Sequence, residues 1–131
     1  MIRYEENPEH GYVELTLDGK IDRAGFQDIV SKLGPLMDRT GRVGILKHIV
    51  SFGGMSPSVL WDDLKFGFEH LKHVGPVAVV SDKKWIEVWT KLAAPLWMRP
   101  VKFFEEDDLD DAREWLAEEM AKAAKTAAAD G

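Results

Sequence analysis

A chain of 131 residues without a single cysteine is long enough to close one hydrophobic core unaided, and it has no disulfide framework, thiolate nucleophile or cysteine-based metal site. Its net charge of −6 is unevenly spread: residues 105–131 hold 3 basic and 10 acidic groups, or −7, so residues 1–104 carry +1. That pattern gives no basic stripe for a phosphate backbone. With no apolar signal core at Met1–Glu6 and no apolar run of membrane-spanning length, the expectations are a cytoplasmic protein and no nucleic-acid partner.

Residues 2–6 and 12–17 read as two strands joined by Asn7-Pro8-Glu9-His10-Gly11, a turn by composition. In the second, Val13, Leu15 and Leu17 alternate with Glu14, Thr16 and Asp18, which predicts one core face and one wet face. From about Asp22 to Asp38, Phe26, Ile29, Val30, Leu33, Leu36 and Met37 share a helical stripe. Pro35 lies within it and is expected to kink or interrupt the helix near its end.

A strand is predicted at 43–50. Ser56-Pro57 then opens a helix, with Ser as N-cap and Pro in the first helical position. Its expected buried stripe is Leu60, Trp61, Leu64, Phe68 and Leu71, and Gly75-Pro76 is expected to end it. The run Val77-Ala-Val-Val-Ser81 is the central strand, short and apolar enough to be buried on both faces. Asp82 is expected to cap an aromatic helix over 83–94, stopped by Pro95. A last strand at 101–104 leads to a helix starting near Asp107 or Asp108, whose opening carboxylates suit the positive end of the helix dipole. It is expected to bury Leu109, Ala112, Trp115, Leu116 and Met120. Residues 122–131 form an Ala-rich extension, expected to fray beyond a single domain spanning 1–121.

Two apolar runs, each followed by a helix, describe βαβα and predict an α/β fold with a parallel or mixed sheet. Paired strands followed by βαβα form the pattern of the STAS domain, the fold of anti-sigma-factor antagonists. The chain resembles most closely its SpoIIAA-like branch. The resemblance rests on Ser56-Pro57 before Leu60-Trp61-Asp62-Asp63-Leu64-Lys65-Phe66, on His70-Leu71, and on Val77-Ala-Val-Val-Ser-Asp-Lys-Lys-Trp85. It continues through Val101-Lys-Phe-Phe104 and Ala112-Arg-Glu-Trp-Leu116. It implies one domain with a mixed, mainly parallel sheet and about four helices. In the antagonists, phosphorylation of a Ser in an Asp-Ser-Ser/Thr-Gly-type motif breaks a protein–protein interface. The corresponding stretch here, 54–59, offers Ser56 and Ser58 as acceptors but lacks that pattern, and Pro57 stiffens it. The SpoIIAA-like branch also resembles Sec14-type lipid-binding domains, which implies an apolar ligand or a membrane surface.

No catalytic motif stands out. Gly53-Gly54 fits neither phosphate-loop pattern, and no serine sits in a nucleophile elbow. His70 and His73, three residues apart, lack a third ligand at convincing spacing. Adjacent Asp62 and Asp63 point in different directions on a helix. The expectation is a non-enzymatic module without metal or cofactor.

The strongest surface signal is aromatic. At about 100° per residue, Trp85, Val88, Leu92 and Leu96 share one stripe with Trp89 at its edge, and Trp97 and Met98 follow. Lys83, Lys84, Lys91, Arg99 and Lys102 surround this segment. Trp between apolar and wet surroundings suits ligand pockets, interfaces and membrane boundaries, and filling of the core is the plainer alternative. Trp85, Trp89, Trp97 and Met98 are therefore candidate apolar contacts, with Lys83, Lys84 and Arg99 as candidate anion contacts. Phe66, roughly 200° around its helix from Leu64, is placed on the face of Asp62, Asp63, His70 and His73 as an interface or groove residue. Trp61 is placed in the core. The expected function is binding of an apolar or amphipathic ligand, a membrane surface or a protein partner, with a homodimer through the aromatic surface as a further reading. The alternative is an anti-sigma-antagonist type of regulatory module switched at Ser56 or Ser58.

Overall fold

A computed structural model describes residues 2–51, 58, 61, 62, 65, 66, 69, 70, 72–96 and 99–130, and for 96 and 127–130 the backbone alone. Five strands form one sheet: β1 (Ile2–Asn7), β2 (Tyr12–Leu17), β3 (Val43–Ile49), β4 (Val74–Ser81) and β5 (Val101–Glu105). Their spatial order, β1-β2-β3-β4-β5, is also their order along the chain. β1 runs antiparallel to β2, and every later pair is parallel. The sheet is thus mixed and mainly parallel, as the pattern predicts.

Three α-helices are described continuously: α1 (Arg23–Thr40), α2 (Lys84–Ala93) and α3 (Leu109–Asp130). This is one fewer than the expected four. The helix expected from Ser56 falls largely outside the described residues, although Ser58, Trp61, Asp62, Lys65, Phe66 and Glu69 are each helical.

Period-two alternation sorts the strand residues into two cores. On one face Val13, Leu15, Val43, Ile45, Val77 and Val79 pack with Ile29, Leu33 and Met37 of α1 and Ile86 of α2. On the other, Tyr12, Leu46, Ala78, Val80 and Phe104 meet Ala112 and Leu116 of α3. All eight residues of β4 are buried, which is why this strand reads as an unbroken apolar run. α3 packs tightly over Gly44, where an added Cβ would lie 3.0 Å from the Met120 sulfur. Arg113 reaches back to β2 and donates to both Glu14 carboxylate oxygens at 2.7 and 3.1 Å.

Local details depart from the predicted boundaries. α1 does begin as expected, with Asp22 accepting the Gly25 N–H at 2.8 Å. It then runs through Pro35 to Thr40 instead of stopping, because Leu33 and Met37 on either side are fixed in the core. Gly41, at φ 84°, closes it by donating its N–H to the Met37 carbonyl at 2.9 Å. Gly75-Pro76 lie inside β4, not at a helix end. A register shift sets Val43 opposite Val74 but Ile45 opposite Val77, and this extra residue accommodates a proline that has no N–H for the ladder. Asp82 is not the cap of α2. Lys83 holds that position without a side-chain cap, and its N–H donates to the buried Ser81 hydroxyl at 3.2 Å. A 3-10 turn, Glu106–Asp108, precedes α3, which continues helically to Asp130.

β1 contributes a titrating group. The Tyr4 hydroxyl donates to Glu6 at 3.0 Å, and burial, reinforced by that carboxylate, pushes its pKa up. The folded state therefore holds a proton that the unfolded chain releases near the ordinary phenol value of about 10. Stability from this site is intact below that pH and is lost as pH rises above it. Denaturant titrations at pH 9 and pH 11 should show wild type losing more stability between the two than Tyr4→Phe. Equal losses would remove Tyr4 from the alkaline limb.

Candidate functional site

α2 follows β4 directly and is anchored by one side only. Ile86 and Thr90, four residues apart, face the sheet and are buried, and the Thr90 hydroxyl donates to the Ile86 carbonyl at 2.7 Å. Helical geometry then turns Trp85, Val88, Trp89 and Leu92 outward. They are 54, 51, 63 and 68% exposed respectively, so the indoles of α2 do not fill the core. Four large apolar side chains on one solvent-facing helix stripe are unusual in a protein that hides its apolar groups.

The charges around this stripe are basic. Residues 83–102 hold five Lys or Arg against one Glu, +4, which leaves −10 for the rest of a chain of −6. Glu87 accepts from Lys84 at 3.0 Å and from Lys91 at 3.1 Å. These hydrogen bonds hold the Glu87 carboxyl below the usual carboxylate range and push Lys84 upward. Lys83 lies 3.6 Å from Asp82. The lysines are thus in place, each held by a solvent-exposed pair of the kind worth about 0–1 kcal/mol. Trp97 and Met98 lie outside the described residues. Arg99 is part-buried just before β5.

The helical positions between β3 and β4 reverse an expectation. Trp61 is 67% exposed instead of buried. Phe66 faces the sheet, packs against the core cluster of α1 and stacks on His70 with ring centroids 4.2 Å apart. Asp62 lies toward α1 and meets Arg23 at 3.5 Å. Trp61 thus departs from the expected buried stripe, whose other members, Leu60, Leu64, Phe68 and Leu71, lie outside the described residues. Ser58 is exposed and helical, while Ser56 lies outside the described residues. His70 uses Nδ1 on the Phe66 carbonyl at 3.0 Å, and no group of three or more potential metal ligands occurs among the described residues.

Two concavities bear on the site. Between α1 and the sheet, with Phe66 at one side, an apolar cavity of about 140 Å³ includes Leu15, Ile45 and Val77 in its walls. Among the described residues one charged group, Lys47, lines it as well. Its sequence signal is a lysine within a strand whose first four residues are buried. A polar crevice of about 340 Å³ lies beyond the C-terminal ends of β4 and β5, between Ser81, Lys84, Glu87 and Glu105 to Asp107. His48 enters the same end of the sheet, 2.6 Å from Glu106.

The SpoIIAA-like family model matches residues 12–117, from the first residue of β2 into α3. The chain belongs to the SpoIIAA-like family. Its fold is similar to that of a solved structure, an uncharacterized protein of the DUF3478 family with a SpoIIAA-like fold from Shewanella loihica PV-4. The two share 26% identity with a TM-score of 0.72, over 88% of this chain and 92% of that one. No curated protein matches the chain. The α2 stripe, the crevice and, Ile2 apart, the described lining of the Lys47 cavity lie within the span of the family match. No helix among the described residues of this SpoIIAA-like protein is long and apolar enough to cross a membrane.

Proposed function

We propose that this SpoIIAA-like domain is a non-enzymatic binding module that docks reversibly on an anionic membrane surface through α2. One observation carries the reading: Trp85, Val88, Trp89 and Leu92 project together into solvent from the most basic stretch of an acidic chain. Indole rings favour the boundary between headgroups and hydrocarbon. Each lysine near an anionic leaflet adds about 1 kcal/mol, comparable with the exposed Glu87 and Asp82 pairs it would exchange. The inward contacts of Ile86 and Thr90 fix the helix on the sheet, so the apolar stripe is presented without first having to order. A stripe that lies on the surface also fits a chain whose described helices do not span a bilayer.

Flotation with lipid vesicles tests this directly. The protein is expected to float with vesicles containing phosphatidylserine and to stay behind with pure phosphatidylcholine. Binding should weaken as salt rises, since the Debye length shrinks to about 8 Å at physiological ionic strength. Absence of flotation at any lipid concentration would remove the membrane reading, and equal flotation with both vesicle types would remove the lysines from it.

A further inference from the structure

We infer that the cavity beneath α1 is a binding site for a small monocarboxylate with a compact apolar tail, its carboxylate held by Lys47. This site is separate from the α2 stripe and goes beyond the membrane reading. Lys47 occupies a position where the fold otherwise places apolar residues. By register it lies opposite Leu15 on β2 and Val79 on β4, both buried in the core cluster of that face. A lysine there lays its aliphatic stem among apolar side chains and brings its ammonium to their edge. Among the described residues, no salt bridge or hydrogen bond is made by its ammonium, and unlike the exposed Lys20, Lys72 and Lys125, which also meet no carboxylate there, it lines a cavity. The side chain is part-buried, and its nitrogen is not among the buried polar atoms without a partner. The stem therefore lines the cavity while the charge keeps contact with water.

Size and polarity define the ligand. A volume of about 140 Å³ is close to that of the roughly 150 Å³ engineered cavity that takes up benzene, so the tail holds about six carbon atoms. Among the described residues the walls are apolar apart from Lys47, which makes its ammonium the place for a polar group. That group must be an acceptor, because an ammonium donates and does not accept, and a carboxylate is the acceptor that also meets its charge. A long acyl chain exceeds this volume, and a dicarboxylate would leave its second charge among Leu15, Ile45 and Val77.

Titration of the whole protein with hexanoate, hexan-1-ol and acetate, followed by methyl-region NMR, tests the assignment. Hexanoate is expected to shift the Leu15, Ile45 and Val77 methyl resonances saturably and to bind at least tenfold tighter than either comparison ligand. Lys47→Met keeps an apolar stem and is expected to lose that preference, binding hexanoate at least tenfold more weakly and hexan-1-ol as wild type does. Val30→Phe, filling the cavity from α1, is expected to abolish binding of both. Wild type that fails to saturate with hexanoate, or Lys47→Met that binds it unchanged, overturns the assignment. So does Val30→Phe with wild-type affinity, which keeps the proposal testable if Lys47→Met does not fold. Vesicle flotation of both variants should match wild type, so the fate of the α2 reading is scored separately.

Discussion

Replacing Trp85 and Trp89 together by Ala is expected to cut affinity for anionic vesicles at least 100-fold while leaving the melting temperature close to that of wild type. Each indole exposes on the order of 100 Å² that docking removes from water, or about 2.5 kcal/mol at roughly 25 cal/mol per Å². Two such losses correspond to more than three decades in the dissociation constant, and 100-fold allows for shallow insertion and for non-additivity between neighbours. The fold should tolerate the change because both rings are more than half exposed and the inward anchors of α2, Ile86 and Thr90, are untouched. Flotation measures the first quantity and circular dichroism on heating measures the second. A double variant that unfolds would return these indoles to a structural role. One that binds as tightly as wild type would place the membrane contact elsewhere.

Leu116→Ala is expected to have the opposite signature: a large loss of stability with no specific loss of binding in the molecules that remain folded. Leu116 is fully buried and joins Leu46, Ala78, Val80 and Phe104 where α3 covers the sheet. A Leu truncated at such a site costs about 2–5 kcal/mol, because the transfer energy is lost and the surroundings close only partly over the void. That is a large fraction of the roughly 5–15 kcal/mol available to a domain. Urea denaturation gives the value directly. A loss below about 1 kcal/mol would show that α3 contributes little to holding the sheet.

How much of this was legible depends on how one-sided each element is. The run at 77–81 announces β4 because a strand covered on both faces has no reason to alternate. Asp22 announces the start of α1 because its carboxylate answers a local need, the free Gly25 N–H. Both signals are complete within a few residues. The outward turn of Trp61 was not legible, since a helical period places it beside Leu60 and Leu64, and neighbours distant in the chain decide which aromatic side chain meets the core. That decision sent Trp61 out and Phe66 in. Gly75-Pro76 looked like a helix end because the local signal cannot show that a partner strand will supply a register shift. The α2 stripe was visible as a pattern in the sequence, but its exposure was not: period gives the angle between Trp85 and Ile86 and says nothing about which side meets the sheet. Lys47 is harder still. Its surroundings come from β2, β4 and α1, all distant in the chain.

Strand order that follows chain order has a consequence for how this molecule is made. As the chain leaves the ribosome, the β1–β2 hairpin forms first, and each βα unit then adds one strand to a single advancing edge. No strand has to wait for a later one to be inserted beside it, which limits the long-range closures that slow parallel sheets. The helices α1 and α2 arrive between the strands they serve, so one face is roofed as it grows. The opposite face has no such provision. Leu46, Ala78, Val80 and Phe104 remain open to water until α3 emerges, so this helix of 22 residues is the element that closes the second face of a sticky nascent sheet.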